Sequence, residues 1–290
     1  MSLAPGIGIA RTVRGISRRG KEFRNTIEWR VAHALRQEAP WSRNRWGHRY
    51  QAISLSEYHY LRDGNPETHE CALLERLLRP GMTVVDVGAN HGLFSLEAVH
   101  LTGRSGLVHA FEPTPSTRAL LLNNLAANNL TMVKVYPSAL GEVPGTAQLR
   151  VHRELSGLNT LATKDITWNQ TTLPADEIVD VPVTTLDEHA AHEGLDRIDF
   201  LKIDVEGFEL GVIRGARGLL QAKRVDRIMV EIGDVTCANA GVSPVDLLNE
   251  LHALGYQLHA ISPEGEIVDR VLTFPSTTFS ANFLAFPTTG

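Results

Sequence analysis

Cysteine is nearly absent: Cys71 and Cys237 are the two in 290 residues, and they form no Cys-x-x-Cys pair. That excludes a disulfide framework and suits a reducing, cytoplasmic compartment with both thiols inert and buried. No run of about 18 apolar residues occurs, so no spanning helix is expected. The start, "MSLAPGIGIARTVRGISRRG", carries its charges after the apolar patch, the reverse of a secretory leader, and none is expected. The sequons at Asn129 and Asn169 then carry no weight. Internal repeats and low-complexity tracts are missing too.

What is present is an ordinary globular composition, 43% hydrophobic. A chain of this length buries about 75% of its unfolded surface, so its core needs no staple. The net charge of −5 is unevenly spread. Residues 1–60 hold eleven Lys/Arg against four Asp/Glu, giving +7; the remainder holds seventeen against twenty-nine, giving −12. Such asymmetry reads as a basic arm on an acidic body.

From residue 82, short apolar runs alternate with helical patterns. The strand candidates are "MTVVDVG", "GLVHAFE", "MVKVYPSAL", "DFLKIDVE", "RIMVEIG", "YQLHAIS" and "NFLAFP", with helices expected at 92–102, 115–129, 207–222 and 244–254. Continuous rather than alternating apolar strands predict a parallel sheet covered on both faces, an α/β doubly wound fold. Residues 141–184 interrupt the alternation with two β-like pieces, "TAQLRVH" and "IVDVPVT", around a long polar segment. Long loops in compact domains are commonly functional, and 153–177 is expected to wall an acceptor site. Ahead of the core, Phe23, Ile27, Val31 and Leu35 form one helical stripe. The expected division is a basic, aromatic N-terminal helical extension over 1–66 and a catalytic domain over 67–290.

Asp86, Gly88, Asn90, His91 and Gly92 fall where the first strand should meet its helix. Glycines there permit a tight turn and close approach of a ligand to main-chain N–H groups. The spacing is Gly-x-x-x-Gly, not the Gly-x-Gly-x-x-Gly of dinucleotide binders. Glu112 closes the second strand twenty residues later, where an acid accepts hydrogen bonds from ribose hydroxyls. The pair predicts a nucleoside-bearing cofactor.

"VVDVGANHGLFSLEA", "VHAFEPTPSTRALLLNNLAANN", "SALGE", "VTTLDEH", "IDFLKIDVEGFELGVIRGA" and "IMVEIG" together resemble the FkbM family of S-adenosylmethionine-dependent methyltransferases, from about residue 70 to the closing "NFLAFP". The resemblance implies a Rossmann-like, class I methyltransferase sheet of seven strands, mostly parallel with a reversed last strand. It also implies S-adenosylmethionine as donor, S-adenosylhomocysteine as product, and a hydroxyl acceptor on a sugar, glycolipid or secondary metabolite. Carried over, Asp86, Gly88, Asn90 and Gly92 hold the methionine end, Glu112 binds the ribose diol, and Phe111 and Pro113 shape its wall. Ser138, Ala139 and Leu140 border the adenine.

"LKIDVEGFE" places Lys202, Asp204 and Glu206 at alternate positions, so all three can project to one side of a strand. A cation between two acids perturbs proton affinities and marks a site. Asp204 is the expected base and a cofactor contact; His91, Lys202 and Glu206 are further catalytic candidates. No metal is predicted, although Glu231 and Asp234 could join Asp204 around Mg²⁺. His189 and His192 share a helix with Glu188 and Glu193 but lack a third ligand, and exposed helix polarity accounts for them. The basic arm could meet a membrane surface or carrier protein, cover the acceptor pocket or pair subunits; nucleic acid is disfavoured by the −12 body. Two other function classes share part of this logic: a nicotinamide-dependent oxidoreductase, opposed by the missing glycine fingerprint, and a non-catalytic donor-binding scaffold.

Overall fold

The computed structural model describes residues 41–51, 68–153, 156–168, 171–262, 264–274 and 281–288. A short hairpin, β1 (Trp41–Arg43) and β2 (Arg49–Gln51), comes first. It lies inside the segment expected to be helical; the stripe at 22–37 and the division near 64–66 lie outside the described residues. Then follow α1 (Thr68–Leu77), β3 (Thr83–Val87), α2 (Leu93–Thr102), β4 (Leu107–Phe111), α3 (Pro115–Ala127) and β5 (Val133–Tyr136).

The interruption comprises β6 (Ala139–Leu140), β7 (Gly145–Val151), β8 (Ile166–Trp168), β9 (Thr171–Leu173) and β10 (Glu177–Thr184). Strands β7 and β10 pair antiparallel, as their alternation suggests, while β8 and β9 form a hairpin of their own. The chain continues through α4 (Leu186–Glu193), β11 (Phe200–Ile203), α5 (Glu209–Gly215), α6 (Arg217–Gln221), β12 (Ile228–Ile232), α7 (Asp234–Ala240) and α8 (Pro244–Ala253). It closes with β13 (Tyr256–Ile261), β14 (Ile267–Arg270) and β15 (Ala281–Pro287). The helix expected over 207–222 is thus two helices meeting at Ala216.

The main sheet has the order β14-β13-β15-β12-β11-β3-β4-β5. Strands β5, β4, β3, β11 and β12 run parallel, and β15 lies antiparallel between β12 and β13, so the reversed last strand is present. The sheet has eight strands, however, not seven. The additional one, β14, is an edge strand with all four residues exposed, so no burial pattern marks it in the sequence.

Successive residues of the central strands feed opposite cores, because side chains alternate across a sheet. Val85, Val87, Leu201 and Ile203 pack on one face; Val84, Val108, Phe200 and Met229 pack on the other. Helices on both sides satisfy the continuous apolar runs. Register then sets the site: Val87 lies opposite both Phe111 and Ile203, so β3, β4 and β11 finish level and their following loops meet. Both cysteines are free and buried. Among the described residues, no helix is long and apolar enough to cross a membrane.

Candidate active site

The loop after β3 is drawn tightly against its neighbours. The Gly88 and Ala89 N–H groups both donate to the Phe111 carbonyl, at 3.1 and 2.9 Å. Gly88 has φ +80°, and a Cβ there would lie 1.8 Å from the Asp204 carbonyl oxygen. Only glycine admits that approach. Asn90, at φ +50°, donates its N–H to Glu112 Oε2 at 2.9 Å, and the Thr114 N–H donates to Glu112 Oε1 at 2.8 Å. Burial pushes the Glu112 carboxyl up, opposed by the Thr114 hydroxyl, by these two main-chain donors and by the Arg118 charge. With the Thr114 hydroxyl as a third donor, the carboxylate keeps one acceptor site open, and that hydroxyl can rotate away to yield its place to a second incoming one. The amides of Gly88, Ala89, Asn90 and Gly92 all donate inside the protein, which uses donors the sequence assigns to a ligand.

Behind that loop lies an ionic chain. Lys202 Nζ donates to Asp204 Oδ2 at 2.9 Å and stands 3.9 Å from Asp86 Oδ1; Ser95 Oγ donates to Asp86 Oδ2 at 2.6 Å. Burial alone would raise Asp204, but Lys202 and a hydrogen bond from Glu231 hold it below the usual carboxylate range. One oxygen of each of Asp204, Glu206 and Glu231 lies within 4.8 Å of the others, close enough to share protons or a cation. Glu206 is pushed well above its ordinary value by burial and by the charges of Asp204, Glu231 and Glu209.

The backbone carrying this cluster is held from two sides. Glu206 has φ +53°, and Thr160 Oγ donates to its carbonyl at 2.7 Å. Gly207, at φ +104°, comes so near that a Cβ would meet the Thr236 carbonyl oxygen at 2.3 Å. Its N–H and that of Val205 donate to Glu209 Oε1 at 2.9 and 3.3 Å. Burial pushes Glu209 up to about 7 despite those donors.

Segment 156–161 spans the cleft. Ser156 Oγ donates to Asn90 Oδ1 at 3.0 Å, Asn159 Nδ2 to Thr114 Oγ1 at 3.3 Å, and Thr160 to Glu206, one contact for each of three sheet-end loops. Beneath it is a cavity of about 280 Å³, near the small end of the roughly 300–1,000 Å³ typical of ligand clefts. Strand β8 packs on α7.

Of the residues singled out in the sequence, Gly88, Asn90, Phe111, Glu112, Pro113, Ala139, Leu140, Asp204 and Glu206 line this cavity. Asp86, His91, Gly92, Ser138 and Lys202 do not. Asp86 is fully buried beneath the loop, and Gly92 begins α2 against Leu121. His91 points the other way, its ring 5.0 Å from that of Tyr50, and burial with the Lys202 charge lowers it to about 3. A histidine so placed is a poor base. Lys202 reaches the cavity only through Asp204. Thr114, Ser156, Asn159, Thr160 and Phe208 also line it; the expectation that 153–177 walls a site covers three of them as a segment but singles out none of these residues. His189 is buried against His109 and Tyr136, while His192 faces solvent beside Glu193.

The Methyltransferase FkbM domain model matches residues 86–258. The 31-O-demethyl-FK506 methyltransferase FkbM of Streptomyces tacrolimicus is 33% identical over 178 residues, 54% of this chain and 68% of that one. Methyltransferase 1 of Beauveria bassiana is 28% identical over 162 residues, 52% and 64% of the two chains. A solved structure, methyltransferase FkbM from Methylobacillus flagellatus, aligns with TM-score 0.45 and 18% identity, over 73% of this chain and 49% of that one. The chain thus spans about two thirds of the length of these two curated relatives and about half that of the solved protein.

Proposed function

The chain belongs to the FkbM methyltransferase family, and on that premise we propose that it moves a methyl group from S-adenosylmethionine to a hydroxyl oxygen of a small secondary metabolite or glycoconjugate. The observation carrying this reading is Glu112: a buried carboxylate fixed by two main-chain donors, with acceptor capacity left over, facing Asp204 across one cleft. The oxygen acceptor is supported by the Streptomyces relative, which is named as a 31-O-demethyl-FK506 methyltransferase. The order β5-β4-β3-β11-β12-β15-β13 supports the class I arrangement, and two free cysteines support a cytoplasmic setting.

The residues present fit the donor. Glu112 takes the ribose diol, Phe111 and Pro113 wall the sugar, Ala139 and Leu140 flank the base, and Gly88 and Asn90 lead toward Asp204. Bound there, the sulfonium supplies an electrophilic methyl carbon. Asp204, kept ionised by Lys202, accepts the hydrogen bond of the incoming hydroxyl and aims its oxygen. The hydroxyl proton passes to Asp204, the ionised member of the cluster, whose neighbours Glu206 and Glu231 lie close enough to share it. Attack by that oxygen would take the methyl from the sulfonium, the methyl–sulfur bonding pair staying on sulfur. Alignment supplies most of the acceleration, about 7–11 kcal/mol in favourable cases. Segment 156–161 excludes water above.

Calorimetry with S-adenosylhomocysteine tests the donor half: Glu112→Ala should weaken binding about a hundred-fold, the worth of two charge-assisted hydrogen bonds. Unchanged affinity sinks the assignment. Asp204→Asn should bind the same ligand near-normally while turnover drops by roughly 10²-fold or more.

A further inference from the structure

Hairpin β1–β2 lies outside residues 86–258, the stretch the family model covers, yet it is joined to the loop that fixes Glu112. Asn124 in α3 and Asn128, the residue capping its C-terminus, stand one turn apart and act toward β2 as a neighbouring strand would. Asn128 Oδ1 accepts from the Arg49 N–H at 2.7 Å, and its Nδ2 donates to the Arg49 carbonyl at 2.7 Å. Asn124 repeats the exchange two residues on, accepting from the Gln51 N–H at 2.9 Å and donating to the Gln51 carbonyl at 3.5 Å. The period-two spacing on the strand meets the one-turn spacing on the helix.

Asn124 does one thing more. Its Nδ2 also donates to the His91 carbonyl at 2.9 Å, and the side chain is wholly buried. On the same side, the fully buried Tyr50 ring meets the His91 ring edge-on at 5.0 Å. His91 follows Asn90, the left-handed residue whose N–H holds Glu112. A left-handed asparagine stays in place only where its neighbours over-determine it.

We propose that Asn124 and Tyr50 are positioning residues for the donor site, and that hairpin 41–51 is a working part of that site. They act through His91 on the aim of Asn90 toward Glu112. The role at Glu112 rests on the proposed donor binding; the mechanical link from hairpin to loop does not.

The test uses the full chain and two paired variants. Asn124→Asp keeps the acceptor for Gln51 but removes the donor to His91. Asn128→Asp removes the corresponding donor from a residue that touches the hairpin and the Asn124 carbonyl but not the loop. Hydrogen exchange of the 88–90 amides, read without ligand, should quicken in Asn124→Asp and stay at the wild-type rate in Asn128→Asp. S-adenosylhomocysteine affinity should fall by about ten-fold in the first and under about two-fold in the second, with acceptor KM at saturating donor unchanged. If Asn124→Asp fails to fold, Tyr50→Leu replaces it with the same expected direction in both readouts. Equal exchange and equal affinity in the 124 or 50 variant overturn the proposal. Faster exchange in a protein whose wild type ignores S-adenosylhomocysteine keeps the link and overturns the donor reading instead.

Discussion

Lys202 neutralises two carboxylates at once, and at 7% exposure it has little water to fall back on. Removing it leaves Asp86 wholly buried with Ser95 as its remaining near partner. Lys202→Met should therefore cost about 3–5 kcal/mol in urea unfolding, the usual penalty for orphaning a buried charge; Asp86→Asn in the same background should recover part of it. Glu209 supplies a pH-dependent counterpart. Its carboxyl titrates near 7 in the folded chain against an ordinary 4.5, so the folded state binds the extra proton between those values. Stability from this group is complete below about 4.5 and lost as pH rises past 7. Glutamine mimics the protonated form, so Glu209→Gln should gain on wild type across that window, by up to about 3 kcal/mol. His91 works in the opposite sense. Its folded value of about 3 makes stability fall as pH drops below 6.5.

The elements divide the labour. Loops after β3, β4 and β11 line the cleft, on the proposed reading its donor side, whereas residues 156–161 of the interrupting segment cover it and β8 packs on α7. Excising residues 166–173 should thus leave S-adenosylhomocysteine affinity within about two-fold, while turnover on any acceptor found in a hydroxyl panel falls; a matching loss of donor affinity would contradict this division. The same split governs what the sequence discloses. Strands β3, β11 and β12 are legible because burial on both faces forces unbroken apolar runs, and Glu112 is legible because a strand-end acid at that distance is unusual. Strand β14 has no buried face, and Thr160 or Ser156 is one polar loop residue among many. His91 shows the converse error: adjacency to a glycine loop suggests chemistry, but one residue of turn sends its ring to Tyr50 instead of the cleft.

For the whole molecule, cleft occupancy couples to global unfolding, because the loops lining it join strands from both cores. S-adenosylhomocysteine at a hundred times its Kd should stabilise the fold by about 2.7 kcal/mol. In a chain of this size that raises Tm by roughly 4 °C, and Glu112→Ala should cut the shift to under about 1 °C at the same concentration. The contact between Gly88 and the Asp204 carbonyl has a consequence for selectivity. With no room for even a methyl group there, the two loops behave as the fixed jaws of a gauge. On the proposed reading, acceptors should then be sorted by reach, the length from their anchoring groups to the reacting oxygen, before any difference in acidity counts.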